Sequence, residues 1–395
     1  MSSNNFFEKT VTRKAKSQRD LLAAIPDGQK HLINRNQIVS VVNTISPLGS
    51  TAGSQVVQFR LLQTRVSIDR AILFCRINNT SGLANGNPYL SIDQLRLLTS
   101  NGNDLICQLT GKDLFNNLIM LTESEFANAS AYNNTSTTWG LGSGFGAGQT
   151  TDLYLPLLGL PWDGNERFPL MFSSDLILEL RLKPSSEWIE SGTPADITFS
   201  QMKLYLDSME YSPSVELALS SSIKNGSYKF AYTDTLVYKN ALTLAASSTY
   251  EFTLSSINGL VALLFIGVYS ATSGAGNRLP TAMQSYQILD SDGSNICGGS
   301  VIPTEYNKIE ILDHFSHSSL PRHLDGIIIH SFCSDPDRTM IENVPSGAFP
   351  FDGFQRLSIT TPAGLGGGTY TVEVSARVYS VIQSDRTGNL VRNMS

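Results

Sequence analysis

Two hydrophobic periods divide this chain. In residues 5–25, Phe7, Val11, Ala15, Leu22 and Ile25 recur at steps of three, four and seven, which stacks them on one stripe of a helix, while Lys9, Arg13 and Lys16 turn elsewhere. Pro26-Asp27-Gly28 ends that run. A polar, extended connector follows to about Ile45, then a turn-rich stretch over 47–54. From Gln55 the period becomes two. Residues 56–61 alternate apolar with polar positions after a paired apolar start, 176–182 alternate after their first residues, and 71–77 and 260–268 are nearly continuous apolar runs. Alternation marks a strand with one buried face. The run at 260–268 falls far short of the roughly 20 residues a spanning helix needs, so it reads as a strand buried on both faces. Gly, Asn, Asp, Ser and Pro clusters separate the strands, and only 112–126 interrupts them with a short helical pattern. Many short strands punctuated by turns predict antiparallel sandwiches or barrels rather than a parallel sheet with crossover helices.

The chain also resembles itself. Leu97-Leu98-Thr99-Ser100-Asn101-Gly102 leads to Ile106-Cys107, and Ile288-Leu289-Asp290-Ser291-Asp292-Gly293 leads to Ile296-Cys297. Phe59-Arg60-Leu61 matches Phe252-Thr253-Leu254, and Phe168-Pro169 matches Phe349-Pro350 before strands that carry Arg181 and Arg356. The last strands, Met202 to Leu206 and Val374 to Tyr379, agree in character. Any one match is what hairpin sterics produce by chance. Four in the same order, about 180 to 190 residues apart, predict a duplicated unit. The expected division is an arm and connector over 1–45, a first sandwich over 46–213, a second over 214–385 and a tail over 386–395. The boundary falls at the Ser-rich stretch 213–225.

Charged residues make up 16% of the 395-residue chain, so neutral polar side chains must cover much of its surface, which suits sheets and loops. The net charge of −6 conceals an asymmetry: residues 1–35 hold seven basic side chains (Lys9, Arg13, Lys14, Lys16, Arg19, Lys30, Arg35) against three acidic ones. The basic end predicts a contact with something anionic; the acidic body predicts no sequence-specific nucleic-acid binding. Phe6 and Phe7 are followed at once by charge, so no signal peptide is read and synthesis in a cytoplasm is expected. Cys75, Cys107, Cys297 and Cys333 lack CxxC spacing and read as small buried hydrophobes.

Chemistry-bearing motifs are weak. Asp290-Ser-Asp292-Gly293-Ser-Asn295 imitates a calcium loop, but no bidentate Glu follows at the right distance and a hairpin turn accounts for it better. Asp313, His314, His317 and His323 cluster without HExxH or zinc-finger spacing. The glycine run 140–148 follows no strand and opens no helix, so it is expected to be a long loop and not a phosphate cradle. No serine- or cysteine-nucleophile motif occurs. No catalytic, cofactor-binding or metal-binding residue is assigned.

Tandem sandwiches, a basic amphipathic arm and no evident active site together resemble the double-jelly-roll major capsid proteins, the family of tailless, membrane-containing icosahedral bacterial viruses and, more distantly, the adenovirus hexon. The likeness spans about residues 45–385 and is one of layout. It implies an all-β fold of two tandem antiparallel jelly rolls with a short N-terminal amphipathic helix. It further implies a homotrimer that tiles an icosahedral shell with neighbouring trimers and minor capsid proteins in the virion. The arm, through Phe7, Lys9, Val11, Arg13, Lys14, Lys16, Leu22 and Ile25, would contact the inner viral membrane or a neighbouring subunit. Loops at 78–88, 126–151 and 270–283 would supply outer surface and subunit contacts. Two rivals come from other classes. A peptide N-glycanase also pairs jelly rolls but is expected to carry a signal peptide and disulfides. A sugar-binding spike or lectin would present aromatic loops, for which Trp139 is the candidate among Trp139, Trp162 and Trp188.

Overall fold

Alternating burial along paired strands builds the molecule. The computed structural model describes residues 41–45, 56–64, 66–80, 82–99, 105–119, 143–163, 168–211, 213–270, 281–296, 301–304, 326–333, 340–341 and 344–393. The arm with all eight of its named contact residues, the 313–323 histidine cluster, Trp139 and Cys297 lie outside them.

The first half contains β1 (Val41–Ile45), β2 (Val56–Leu61), β3 (Val66–Asn79), β4 (Ala84–Gly86), β5 (Ile92–Thr99), β6 (Leu105–Leu109) and α1 (Gly111–Ile119). It continues with β7 (Ser143–Phe145), β8 (Thr150–Pro156), β9 (Phe168–Pro169), β10 (Leu176–Leu182), α2 (Ser185–Trp188), β11 (Ile189–Ser191) and β12 (Ile197–Glu210). After α3 (Pro213–Lys224) come β13 (Lys229–Leu244), β14 (Thr249–Thr253), β15 (Asn258–Ser270), β16 (Ser285–Leu289), β17 (Ile302–Pro303) and β18 (Ile327–Ser331). The chain closes with β19 (Met340–Ile341), β20 (Val344–Pro345), β21 (Phe349–Asp352), β22 (Arg356–Thr360), β23 (Gly368–Ser384) and β24 (Leu390–Asn393).

In β2, Val57, Phe59 and Leu61 are buried between exposed or half-buried neighbours and stand opposite Leu180, Leu178 and Leu176 of β10. Across the core, Leu73 and Cys75 of β3 stand opposite Leu204 and Met202 of β12. Each fully buried Leu or Phe contributes about 1.5–3 kcal/mol, and a one-residue slip would turn the whole set to solvent, which pins the register.

The first sandwich faces the sheet β1-β12-β3-β8, with β9 added on β3, against β2-β10-β5-β6. The second faces β13-β23-β15-β18, with β21 on β15 and β24 on β23, against β14-β22-β16-β17. The two orders correspond strand for strand, and every pairing is antiparallel. This is the jelly-roll order written twice. The sequence repeats fall on equivalent strands: Phe59 on β2 and Phe252 on β14, Phe168 on β9 and Phe349 on β21, Leu97 on β5 and Ile288 on β16.

Several expectations shift. The Ser-rich boundary at 213–225 is the helix α3, opened by Pro213, with Glu216 in its first turn and Lys224 in its last to complement the helix dipole. The connector ends in β1, which pairs with β12, and the expected tail carries β24, which pairs with β23. Loop 78–88 contains the end of β3 and all of β4, and part of the glycine run is β7; with β11 they make a three-stranded sheet. Phe145, the apolar residue inside the glycine run, drives this by packing edge-on to Trp188 at 5.9 Å, both fully buried. Cys75, Cys107 and Cys333 are buried free thiols.

Candidate functional site

The candidate site is a contact surface, because the most elaborate side-chain constellation lies between the two sandwiches. In β23, Val372, Val374, Ala376 and Val378 enter the core of the second sandwich, which turns Glu373, Ser375, Arg377 and Tyr379 toward the first. In β15, Leu264, Ile266 and Val268 belong to the second core, whereas Leu263 and Phe265 join the core of the first. The run at 260–268 is thus buried on both faces from Val261 onward, with Leu260 exposed at its start.

Onto that second face lies α1. Its start is a reciprocal cap: the Thr110 amide donates to Asp113 Oδ2 at 2.8 Å, and the Asp113 amide donates to Thr110 Oγ1 at 3.3 Å. Gly111 opens the helix because a Cβ there would stand 1.9 Å from the carbonyl oxygen of Tyr89. The helix so placed delivers three polar contacts. Lys112 Nζ reaches Glu373 Oε2 at 2.8 Å and sits 3.6 Å above the Tyr269 ring. Ser375 Oγ donates to Asp113 Oδ1 at 2.7 Å, and Arg377 donates to Asn117 Oδ1 while its guanidinium covers Phe265. Asn117 in turn donates to the carbonyl of Leu158 at 3.0 Å.

Burial sets the electrostatics. It lowers the Lys112 pKa against the pull of Glu373, and it raises that of Asp113 against the hydrogen bonds from Ser375 and Thr110. At Glu373 burial also opposes the charge, but Lys112 and Lys239 outweigh it and hold the carboxyl below the usual glutamate range. Lys112 and Lys239 thus neutralise Glu373, while Asp113 is held by the Ser375 and Thr110 hydroxyls. The seam continues as aromatic and backbone contacts: Phe230 meets Phe168 edge-on at 5.5 Å, Tyr232 donates to the carbonyl of Ile106 at 2.7 Å, and the Ser173 amide donates to that of Gly388 at 2.9 Å. Asp234 pairs with Arg392 beside Cys107, and burial raises its pKa to about 6.

A second surface is open. On the outward face of the sheet β12-β3-β8, Phe74 contacts Tyr154 at 5.2 Å and Tyr205 at 6.3 Å between ring centres, and the Arg76 guanidinium lies 5.8 Å over Phe74. Arg76 also grips Asp152 through two hydrogen bonds of 2.6 and 2.8 Å, which raise its own pKa and lower that of Asp152.

Other sequence candidates resolve structurally. The Asp290 and Asp292 side chains accept backbone amides of Ser291 and Ser294, and Gly293 takes φ +86°, so this is a hairpin turn. Among the described residues no group of three or more His, Cys, Asp or Glu could hold a metal. His330 is buried, pushed down to about 4 by burial, and hydrogen-bonded to the Tyr286 hydroxyl. Trp162 and Trp188 are core residues, so neither presents a ring to a sugar. Glu179 is shared by Gln58, Arg96 and Arg181. No described helix is long and apolar enough to cross a membrane. Sequence reading missed Lys112, Asp113, Asn117, Glu373, Ser375 and Arg377. The available signal was the Thr110-x-x-Asp113 cap and the polar alternation of β23 beside a strand apolar on both faces.

No family model matches the chain, and no curated protein matches it by sequence. Solved structures do. VP54 of PBCV-1, as fitted into a reconstruction of the virophage Sputnik, matches with TM-score 0.66 and 12% identity over 90% of this chain and 97% of that one. The Faustovirus major capsid protein matches at 0.61 and 10% over 96% and 98%, and the mavirus major capsid protein at 0.52 and 11% over 91% and 92%. The chain shares with them the double-jelly-roll fold over nearly its whole length.

Proposed function

We propose that this chain is a major capsid protein and not an enzyme, and that it builds the icosahedral shell of a virion. The observation that supports this most is the agreement of fold with two major capsid proteins over more than nine-tenths of each chain. Its polar constellations support it too, since among the described residues they lock sandwich to sandwich. The finer reading is a homotrimer contacting neighbouring trimers and minor capsid proteins. The arm then touches the inner membrane or a neighbouring subunit through Phe7, Val11, Leu22 and Ile25 and its basic residues Lys9, Arg13, Lys14 and Lys16. A bacterial host, expected from the resemblance, draws no support from the likeness to PBCV-1, Faustovirus and mavirus and is left out of this reading.

Light scattering and electron microscopy of the concentrated protein test it. The expected result is a stable particle near three times 43.0 kDa that assembles into shells or shell fragments. A strict monomer with no higher assembly at any concentration overturns the proposal. In the same preparation, removing residues 1–25 should leave the trimer intact while reducing shell yield and flotation with anionic vesicles. Unchanged yield and flotation would reduce the arm to a solvated tail.

A further inference from the structure

At the seam, one small recess is lined by both sandwiches. In β15, Gly267 stands between Ile327 of β18 and Glu373 of β23. A glycine leaves a gap on that face of the sheet, and the Tyr269 ring leans back over it. A Cβ on Gly267 would stand 2.6 Å from the Tyr269 hydroxyl oxygen, so that hydroxyl lies against the glycine. From the first sandwich Asn116, one helical turn beyond Lys112 on α1, reaches the same place.

The recess among Asn116, Gly267, Tyr269, Ile327, Glu373 and Ser375 leaves about 10 Å³ for the centre of a water molecule, which admits one water and no larger ligand. Its polar side chains fall into two groups. Glu373 is taken by Lys112 and Lys239, and the Ser375 hydroxyl by Asp113. By contrast, Asn116 is 5% exposed and its Oδ1 meets no hydrogen-bond partner. The Tyr269 hydroxyl makes no hydrogen bond among the described residues either, and burial, with the charges of Glu373 and Asp113, raises its pKa. A buried oxygen in that condition has lost its hydration without compensation, and folded proteins meet such groups with ordered water.

We propose that this recess binds one structural water, which donates to Asn116 Oδ1, hydrogen-bonds the Tyr269 hydroxyl, and so ties the first sandwich to the second. A neutral ligand suits the place where an ion does not: Lys112, 3.6 Å above the Tyr269 ring, repels a cation, and Glu373 repels an anion. A water both donates and accepts, so it serves an amide oxygen and a phenol at once. The site goes beyond the shell-subunit reading and stands apart from it, because it concerns how one chain holds its own halves together.

The test combines a high-resolution crystal structure with urea titrations of Tyr269→Phe, Asn116→Ala and the double variant. Tyr269→Phe removes a single oxygen and keeps the ring beneath Lys112, so its sign is decisive. A hydroxyl bonded to water is missed when removed, and the folding equilibrium constant should fall about fivefold; a hydroxyl stranded in a dry recess is better absent, and stability would hold or rise. The double variant should lose less than the product of the two single losses, because the second change removes a partner of a water already released. Density for one water within about 3 Å of both Asn116 Oδ1 and the Tyr269 hydroxyl is expected. If Asn116→Ala does not fold, Tyr269→Phe and the density decide. An empty recess, a neutral or stabilising Tyr269→Phe, or single losses that multiply without coupling overturns the bridge.

Discussion

Lys112 illustrates how much one side chain carries at the seam. Its ammonium is largely buried between Glu373 and the Tyr269 ring, so removing it leaves the buried carboxylate with only the more exposed Lys239 at 3.5 Å. Lys112→Ala should cost about 3 kcal/mol, the low end for a broken buried pair because Lys239 remains, and the double change Lys112→Met with Glu373→Leu should cost less, since no buried charge is then left unpaired. Urea titrations of the two variants measure this. Glu373 also sets a pH dependence. Its pKa in the folded protein lies below the ordinary 4.5, so its charge contributes stability that is present above 4.5 and lost as pH falls through the lowered value. Asp113, raised by burial, acts with the opposite sign, so the informative quantity is the difference between wild type and Glu373→Gln. That difference should shrink on acidification; one that is flat with pH would deny Glu373 its charge.

At the scale of an element, the 290–293 turn separates a steric requirement from a chemical one. Gly293 sits at φ +86°, where a side chain is strained, and Gly293→Ala should lower stability by about 1–2 kcal/mol. The aspartates serve the turn by accepting amides, and Asp290 also accepts from Gln355 at 3.1 Å, bonds that Asn can largely replace. Asp290→Asn with Asp292→Asn should therefore fold and associate as wild type does, with a melting temperature indifferent to added calcium. A calcium-dependent rise in wild type alone would reveal a metal site. The helix α3 teaches a related lesson about reading elements: its serines argue for a linker, and its helical state rests on Pro213 at its start, on charges suited to its dipole, and on one fully buried side chain, Ile223.

At the scale of the whole molecule, the duplicated units are not independent. Phe230, Tyr232, Phe265, Ile329 and Leu390 of the second sandwich belong to the same apolar cluster as Phe59 and Leu178 of the first. A core shared across the seam couples the unfolding of both halves. Calorimetry should show one transition with matching calorimetric and van't Hoff enthalpies, and Phe230→Ala, at a cost of about 3–5 kcal/mol, should move that transition as a whole. Two separable transitions would mean that the shared cluster contributes little.

The sequence by itself determined the all-β class, the duplication and, from Val261 onward, the doubly buried strand. Those properties depend on local period: side chains alternate every two residues, turns need Gly or Asn at set places, and a second copy repeats both. It also determined that Cys75, Cys107 and Cys333 would be buried and that Asp290 and Asp292 would serve a turn. Only the tertiary structure decided which polar side chains matter. Glu373, Ser375 and Arg377 alternate on β23 as solvent-facing residues would, and their partners Lys112, Asp113 and Asn117 lie over 250 positions away in the chain. The same holds for β7, which is glycine-rich and has little strand propensity, and forms because Phe145 finds Trp188. Periodicity states that a face exists; what covers that face is a non-local fact, settled by which surfaces the fold brings together.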